Sequence, residues 1–318
     1  MNHICIMEKD GWVIRSTGSH YTVIFADGSV MECRLKGKFR MKDLKNTNPV
    51  VVGDKVHVVT DEKHGGGIIT EIYPRLNYII RRATKSSSPI SILAANIDQA
   101  LLVVTLFQPP TSTGFIDRFL LTAEAYGIPA HLIFNKIDLY SEEDLLLLHT
   151  YSEYYSKCGY GIIFSSVKTH QGLKELSELI YGKTSLLIGH SGVGKSAIIH
   201  AIEPTFNIKI GEISTYHQKG KHTTTFAQMY PLPQGGFIVD TPGIKEFGIV
   251  DFKKEEVGLF FPEMQKLLHQ CQYYNCTHDH EPGCAVKRAV ENGDIASWRY
   301  HNYLSVIHGD EIENSYEL

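Results

Sequence analysis

The first 72 residues contain short runs of β-branched and aromatic positions, interrupted at intervals by Gly and Asp. Such runs predict strands, and the interrupting residues predict turns. The runs are GWVIRS, YTVIFADG, SVMECRLKG, KVHVVT and GIITEIY. Five strands in about 70 residues predict an all-β barrel of the OB type, although this count does not distinguish it from an SH3-like barrel.

A different pattern begins near residue 97, where apolar strand-like runs alternate with helical patterns. The strand-like runs are ALLVVTL (100–106), AHLIF (130–134), GIIF (161–164), TSLLI (184–188) and GFIVD (236–240). Helical patterns cover 114–126, 141–157 and 171–181, and another begins at Lys195. This alternation predicts an α/β domain, in which a mostly parallel sheet is covered by helices on both faces.

The last part of the chain, after residue 250, predicts mainly helix around a Cys/His-rich turn. One helix is expected over 252–270, and further helix from the turn to the end. The stretch ATKSSSP (83–89) has the composition of a linker. The expected domains are therefore a barrel over 1–72, an α/β domain over 73–250 and a C-terminal domain over 251–318.

Composition narrows the class of protein. The chain has 318 residues, of which 43% are hydrophobic and 21% charged, as in globular proteins of two or three domains. An apolar run of about 18 residues and a secretion signal are both missing, so we expect a cytoplasmic protein with no membrane partner. In that reducing compartment, the six cysteines are expected to be thiols or metal ligands.

The segment GHSGVGKS follows the strand TSLLI and opens a helix, which is the context of a phosphate-binding loop. Glycines let backbone N–H groups converge on phosphates, and the helix N-terminus adds a favourable dipole. Lys195 is expected to reach the β- and γ-phosphates, and the Ser196 hydroxyl to bind magnesium. The residues of this loop are Gly189, His190, Ser191, Gly192, Val193, Gly194, Lys195 and Ser196.

The tetrapeptide NKID (135–138) follows the apolar strand AHLIF. Open α/β sheets bind ligands at the carboxyl ends of their strands. The Asp138 carboxylate can accept from two donors on the Watson–Crick edge of guanine, while Asn135 braces the loop and the Lys136 stem covers the ring. Beside a phosphate loop, this motif indicates a guanine nucleotide. Serine-rich loops are common, but Ser165 and Ser166, after the strand GIIF, are candidates to close over the base.

The segment DTPG (240–243) ends the strand GFIVD and matches D-x-x-G. Asp240 is expected to bind magnesium, mainly through water, and the Gly243 N–H to sense the γ-phosphate. The preceding segment GKHTTT (220–225) lies where a GTPase has its first switch. Thr224 is our candidate to complete the magnesium shell, with Thr223 and Thr225 as alternatives.

Water activation needs a polar group near these motifs. Ras-like enzymes position the attacking water with a glutamine just after D-x-x-G, but that position here is Ile244. His222 lies beside the switch threonines and could accept from water when neutral. Alternatively, His222 contacts RNA or caps the loop. The predicted catalytic set is His222, Lys195 and Thr224.

These motifs occur in an unusual order: base recognition, base closure, phosphate loop, first switch, D-x-x-G. An ordinary GTPase begins with the phosphate loop, but chain order can be permuted when the old termini are joined through a surface loop. The order therefore predicts a circularly permuted GTPase. In such a chain, whatever follows residue 250 is tied directly to the second switch.

Three thiols and one imidazole fall within fourteen residues of the C-terminal part, a spacing typical of one structural zinc site. Pro282 and Gly283 permit the tight turn that such a site needs. His280 is an alternative nitrogen ligand, and the remaining cysteines, Cys5, Cys33 and Cys158, are expected to be buried thiols. The predicted zinc ligands are Cys271, Cys276, His278 and Cys284.

Basic residues occupy every second position over 34–42, in contrast to 251–318, where twelve acidic residues face six Lys or Arg. As a strand, the basic segment would send five cations to one face. Such a ribbon suits a nucleic-acid backbone, although an ordinary solvated face gives the same pattern. The candidate RNA-binding residues are Arg34, Lys36, Lys38, Arg40 and Lys42.

Taken with their order, the segments NKID, GHSGVGKS, HTTT, DTPGIKEFG and NCTHDHEPGCAV resemble the RsgA (YjeQ/YloQ) family of circularly permuted GTPases of small-ribosomal-subunit assembly. The resemblance covers nearly the whole chain. It implies an OB-fold, a central GTPase domain and a C-terminal zinc domain. It also implies binding to the small subunit and its rRNA, near the decoding region, during late maturation. One departure is Lys221, where arginine is expected.

The leading hypothesis is therefore a monomeric GTPase that binds GTP and GDP, uses magnesium, and checks or releases a maturing small ribosomal subunit. One alternative is a nucleotide-gated RNA-binding module whose hydrolysis is incidental. Another is a GTPase that acts on a different RNA, such as transfer RNA.

Overall fold

The computed structural model describes residues 7–36, 49–60, 65–81, 91–204, 227–240 and 253–309. Within these ranges the strands are β1 Glu8–Ser16, β2 Tyr21–Phe25, β3 Val30–Leu35, β4 Lys55–Thr60, β5 Gly67–Ile72, β6 Tyr78–Arg81, β7 Ser91–Ala95, β8 Gln99–Val104, β9 Ala130–Phe134, β10 Gly161–Phe164, β11 Thr184–Ile188, β12 Gln228–Pro231 and β13 Phe237–Asp240. The α-helices are α1 Thr113–Ala125, α2 Glu142–Lys157, α3 Leu173–Ile180, α4 Lys195–Ile202, α5 Lys254–Val257, α6 Pro262–Gln265, α7 Ala285–Glu291 and α8 Ser297–His308.

The chain groups into two compact units, each drawn from several segments. The first comprises Met1–Gln99, Ile180–Leu187 and Gly211–Gly248. The second comprises Ala100–Leu179, Ile188–Ile210 and Ile249–Leu318.

The first five strands close into a barrel in the first unit. Strand β1 pairs antiparallel with both β2 and β4, β2 pairs with β3, and β4 pairs with β5. A parallel pairing of β3 with β5 completes the circle. This is the five-stranded barrel of the OB type, so the predicted all-β barrel is confirmed.

The barrel interior is filled by alternate side chains of its strands, as the period of a strand requires. Val13, Val23, Val56 and Ile69 are completely buried in it, and Cys33 is 1% exposed. Cys33 is therefore one of the buried thiols that its isolated position in the sequence predicted. The first unit also contains β11, which pairs in parallel with β13, while β12 pairs antiparallel with β13.

The second unit contains three parallel strands in the order β10, β9, β8. Strand β8 is buried at all six positions, as expected for a strand covered on both faces. The helix α1 begins after Ser112, whose side chain accepts from the Phe115 N–H, and α2 begins after Ser141 with a capping box. These elements confirm the predicted α/β class.

The C-terminal region, defined here as residues 253–309, corrects one prediction. The expected single helix over 252–270 is instead α5, a 3-10 turn Gly258–Phe260, α6 and a 3-10 turn Leu268–Gln270. Gly258 packs so closely on His278 that a Cβ there would lie 3.1 Å from its Nε2. Pro262 starts a new helix because it lacks the N–H that would continue the previous one.

Two further features were not predicted. Strands β6 and β7 pair antiparallel on either side of 83–89, the segment predicted as a linker, which lies outside the described residues. Strand β12 was also missed, because four residues with one proline carry little strand signal. In the parts of the chain that the structure describes, no helix has the length and apolar character needed to span a membrane.

Candidate nucleotide-binding site and metal centre

The predicted guanine-recognition residues follow neighbouring strands of the second unit. Asn135 comes directly after β9 and Ser165 directly after β10, and these two strands run parallel. Their carboxyl ends therefore meet at one edge of the sheet, where open α/β sheets bind ligands. Asn135 is 2% exposed, and Ser165 and Ser166 are completely buried.

Asn135 connects three loops through its side-chain amide. Its Nδ2 donates to the Val193 carbonyl of the phosphate loop at 2.8 Å. Its Oδ1 accepts from the Ser165 hydroxyl at 3.0 Å. The amide orientation is thus fixed at both ends, and Asn135 holds the guanine-recognition segment against the phosphate loop.

Asp138 is oriented by the second serine. The Ser166 hydroxyl donates to Asp138 Oδ1 at 2.5 Å and accepts from the Thr169 N–H at 3.2 Å. The Asp138 side chain is 12% exposed, and Lys168 Nζ lies 4.0 Å from its Oδ2. A carboxylate held in this way can offer its remaining lone pairs to the two N–H donors of a guanine edge. We refer to Asn135, Asp138, Ser165 and Ser166 as the guanine corner.

Lys136 links this corner to the turn after β8. Its backbone has φ 63°, in the left-handed region, and its Nζ donates to the Gln108 carbonyl at 2.6 Å. Tyr140 links Asn135 to the same turn. Its hydroxyl donates to the Asn135 carbonyl at 3.0 Å and accepts from the Leu106 N–H at 2.8 Å. Burial raises the pKa of Tyr140, so the hydroxyl keeps the proton that it donates.

The phosphate loop follows β11 and ends where α4 begins. Gly189 has φ 143° and a Cβ there would lie 2.4 Å from the Val103 carbonyl oxygen. Gly194 has φ 104° and a Cβ there would lie 2.3 Å from Asn135 Nδ2. A side chain at either position would displace the loop, so the glycines are required by its geometry.

Lys195 folds back over this loop at the N-terminus of α4. Its Nζ donates to the Gly189 carbonyl at 2.6 Å and to the His190 carbonyl at 2.9 Å. The amine therefore lies against the carbonyls of the first two loop residues, and Lys195 is itself the first residue of α4, whose N-terminus offers backbone N–H groups. This combination of a cation and N–H donors can bind the phosphates of a nucleotide.

The remaining predicted nucleotide residues are only partly described. Asp240 is the last residue of β13, which runs parallel to β11, the strand that leads into the phosphate loop. Ser196 is half-buried in the first turn of α4. The predicted residues that lie outside the described ranges are His222, Thr223, Thr224, Thr225, Gly243 and Ile244.

The predicted metal ligands converge in the C-terminal region. One donor atom from each of four residues lies within 4.8 Å of the others, and we call this group the Cys/His cluster: Cys271, Cys276, His278 and Cys284. His278 Nδ1 lies 3.6 Å from Cys271 Sγ and 3.4 Å from Cys284 Sγ. Because Gly258 packs on Nε2, the nitrogen facing the sulfurs is Nδ1.

The donor set fits a metal ion on chemical grounds. Burial raises the pKa of Cys276 to about 12 and also raises the pKa of Cys284. Several thiolates so close together require a cation to stabilise them, and three sulfurs with one imidazole form a closed tetrahedral set. His280, the alternative ligand, has an 84% exposed side chain and pairs with Asp279 at 3.4 Å, away from the cluster.

The turn that carries His278 is braced from two sides. Glu281 accepts from the Thr277 N–H at 2.8 Å and from the Asp279 N–H at 3.1 Å. Burial alone would raise the pKa of Glu281, but the hydrogen bonds from Thr277 and Asp279 lower it to about 2. From α8, the Tyr300 hydroxyl donates to the His278 carbonyl at 2.6 Å. The ligand loop is therefore fixed by backbone contacts as well as by its sulfurs.

The basic segment is described only at its start. Arg34 lies near the end of β3 with its side chain exposed, while its neighbours Cys33 and Leu35 turn toward the barrel interior. Lys36 follows and is also exposed. The remaining candidates, Lys38, Arg40 and Lys42, lie outside the described residues.

Sequence reasoning missed two groups that hold Asn135 and Lys136 in place through hydrogen bonds. Tyr140 and the Gln108 carbonyl belong to no linear motif, because one acts through its hydroxyl and the other through its backbone. A proline pair followed by a serine cap, PPTS (109–112), was the available signal for a structured turn before α1.

A parallel sheet with a phosphate loop, a guanine corner ahead of it in the chain, and an N-terminal barrel define a circularly permuted phosphate-loop GTPase. The RsgA GTPase family model matches residues 72–250, and the RsgA N-terminal domain model matches residues 10–69. The chain belongs to the RsgA GTPase family, and it is a GTPase.

Relatives of known name cover almost the whole chain. "Small ribosomal subunit biogenesis GTPase RsgA" of Bacteroides fragilis is 49% identical over 301 residues, 95% of this chain and 97% of that protein. The same-named protein of Flavobacterium johnsoniae is 49% identical over 95% of this chain and 93% of its own. The crystal structure of YjeQ from Thermotoga maritima is 37% identical with a TM-score of 0.78, covering 96% of this chain and 99% of that one. YloQ, described as a circularly permuted GTPase, is 27% identical with a TM-score of 0.74, covering 98% and 97%.

Proposed function

We propose that this GTPase acts in the late maturation of the small ribosomal subunit, as a cytoplasmic monomer whose hydrolysis of GTP to GDP and phosphate is stimulated by that subunit. The relatives named above support the ribosomal role. The observation that carries the nucleotide assignment is the side-chain link from Asn135 to the phosphate-loop carbonyl of Val193, because it joins base recognition to phosphate binding in one unit.

The guanine corner supplies specificity in this proposal. Asp138 accepts two hydrogen bonds from the base, Ser166 holds that carboxylate in place, and the Lys136 stem covers the ring. Asn135 and Ser165 fix the distance between base and phosphates. Adenine offers one donor and one acceptor at the corresponding edge, so it would leave Asp138 facing an acceptor, at a cost of a few kcal/mol.

Phosphate binding falls to the loop 189–196, with Lys195 reaching the β- and γ-phosphates and Gly243 contacting the γ-phosphate. Magnesium would be held by Ser196, Thr224 and Asp240, and would neutralise charge between the phosphates. His222 orients the attacking water, since Ile244 can neither donate nor accept a hydrogen bond.

The two flanking regions serve binding and stability. The exposed Arg34 and Lys36 contact rRNA phosphates, together with the basic residues that follow them in the sequence, Lys38, Arg40 and Lys42. The Cys/His cluster holds one structural zinc ion that stabilises the C-terminal region. The division into domains at 1–72, 73–250 and 251–318 follows these roles.

The experiment is GTP hydrolysis by the wild-type chain and by His222→Ala, each with and without purified small subunits. Subunits should raise wild-type turnover, and the variant should bind GTP and subunits normally while losing about 100-fold of the stimulated rate. An unaltered stimulated rate in His222→Ala would contradict the role of the histidine.

Two controls separate the proposal from its alternatives. Slow wild-type hydrolysis that small subunits leave unchanged would favour a nucleotide-gated RNA-binding module. Stimulation by transfer RNA in place of small subunits would favour a GTPase that acts on another RNA.

A further inference from the structure

Helix α8 is fixed to the start of α1 by buried polar contacts. Arg299 Nη1 donates to Asp117 Oδ1 at 2.6 Å. Asn302 Nδ2 donates to Asp117 Oδ2 at 2.7 Å and to the Thr113 hydroxyl at 3.2 Å. Arg299 and Asp117 are both completely buried. Three donor–acceptor contacts therefore set the position of α8 against the first turns of α1.

Asp117 depends on this contact for its place in the interior. The Tyr155 hydroxyl donates to the same carboxylate at 2.7 Å, and Glu263 pairs with the other side of Arg299 at 2.7 Å. Burial raises the pKa of Asp117, against the opposing effect of Arg299. Burial alone would lower the pKa of Arg299, but Asp117 and Glu263 raise it well above its usual value. A displaced α8 would leave Asp117 buried without its cation, which is costly, so α1 would move or open.

The same first turns of α1 touch the phosphate loop. Phe115 lies two residues before Asp117, and its ring packs on His190, the second residue of the loop, with centroids 4.1 Å apart and planes at 35°. A shift of α1 would therefore press on or release the backbone of the phosphate loop.

The turn just before α1, residues 105–111, contacts both Lys136, beside the guanine corner, and the phosphate loop. Its Gln108 carbonyl accepts from Lys136 Nζ at 2.6 Å, and a Cβ on Gly192 would lie 3.4 Å from Pro109 Cδ. The Thr105 hydroxyl donates to the Pro109 carbonyl and holds the turn closed. Both halves of the nucleotide site thus rest on one continuous segment, residues 105–117.

We propose that Arg299 and Asn302 are positioning residues for the nucleotide site. Through Asp117 and the segment 105–117, the docking of α8 sets the position of the phosphate loop and of Lys136, so docking and nucleotide affinity are coupled. By linkage, a partner that displaces the C-terminal region weakens nucleotide binding, and nucleotide tightens docking by the same factor. This inference rests on the nucleotide site of the proposed function.

The test compares GDP affinity of Asn302→Ala with that of Ser305→Ala, on the same helix. Ser305 donates to the His301 carbonyl within α8, which makes it a matched control. Asn302→Ala should bind GDP about 5- to 20-fold more weakly at unchanged metal content, and Ser305→Ala should bind it normally. Arg299→Lys keeps the positive charge but loses the planar guanidinium donors, so it should also lower the affinity for GDP.

A cycle with Phe115→Leu distinguishes positioning from general destabilisation. If both changes act on one path, the loss in the double variant is smaller than the product of the two single losses. GDP affinities within twofold of wild type in both Asn302→Ala and Arg299→Lys would overturn the proposal. If these variants do not fold, hydrogen exchange of wild-type α8 decides: GDP should slow it more than exchange in β2, and equal slowing would overturn the proposal.

Failure of the proposed function would look different. A wild-type chain that binds ADP as well as GDP would contradict guanine recognition. The coupling would still be measured, with either nucleotide, as the ratio of wild-type to Asn302→Ala affinity.

Discussion

The guanine corner and the Cys/His cluster are two buried polar sites in one unit, and different forces hold them. In the guanine corner, neutral hydroxyl and amide donors fix Asn135 and Asp138 at 2.5 to 3.0 Å. In the cluster, the contacts from His278 to the sulfurs are 3.4 to 3.6 Å, and burial raises the pKa of Cys276 to about 12. The first site is held mainly by hydrogen bonds within the protein, whereas the donor set of the second fits a metal ion. Metal removal should therefore act mainly on the Cys/His cluster, and loss of a hydroxyl mainly on the guanine corner.

Metal removal should have the largest effect, and its direct effect should fall on the Cys/His cluster. Structural zinc contributes about 10 kcal/mol or more to small metal domains, which exceeds the stability of most domains. Chelation, or the substitution Cys276→Ser, should therefore abolish the cooperative unfolding transition of residues 253–309. Hydrogen exchange of the backbone amides in this region measures the loss. The preference for GDP over ADP should survive, even as affinity falls.

Cys158→Ala is the matched control, because Cys158 is a buried thiol of the same unit outside the cluster. It should keep its full metal content. A C-terminal region that stays ordered after chelation would show that hydrogen bonds such as those of Glu281 suffice there too.

Asp138→Asn should have the next largest effect, confined to the guanine corner. Two hydrogen bonds to a charged acceptor are lost, about 3 kcal/mol or 100-fold in GTP affinity. The variant should bind xanthosine triphosphate more tightly than the wild type does, since the exocyclic oxygen of xanthine accepts a hydrogen bond where guanine donates one. Competition binding with GTP, ATP and xanthosine triphosphate measures the change, and an unaltered preference for GTP would contradict the role of Asp138.

Ser165→Ala should have the smallest effect, and it tests directly whether the guanine corner depends on its hydroxyl groups. It removes the donor to Asn135 Oδ1, at about 1 kcal/mol or 5-fold in GDP affinity, without changing selectivity. Ser152→Ala is the control, since Ser152 is also buried but donates to the His149 carbonyl within α2. Isothermal titration of both variants would show whether the corner depends on its hydroxyls, and equal affinities would indicate that it does not.

The predictable part of this molecule lies in short linear segments. The phosphate loop, NKID and the Cys/His spacing each place their chemistry within a few residues, so local geometry decides the outcome. The β3–β5 pairing that closes the barrel and the Arg299–Asp117 contact join distant segments, and no local pattern encodes them. The expected helix over 252–270 failed for the same reason, because the close packing of Gly258 on His278 is a tertiary constraint.

Arg299 also has a consequence for how the chain is made. It stands 182 positions after Asp117, so at about 5 to 20 residues per second the nascent chain waits roughly 10 to 35 s between the two. During that interval the α1 carboxylate has no arginine to neutralise it and stays hydrated, which delays burial of the helix face that carries it. A ribosome that stops after residue 243 but before residue 299 would therefore release a chain whose GTPase core is unfinished at α1, although every nucleotide motif has been translated.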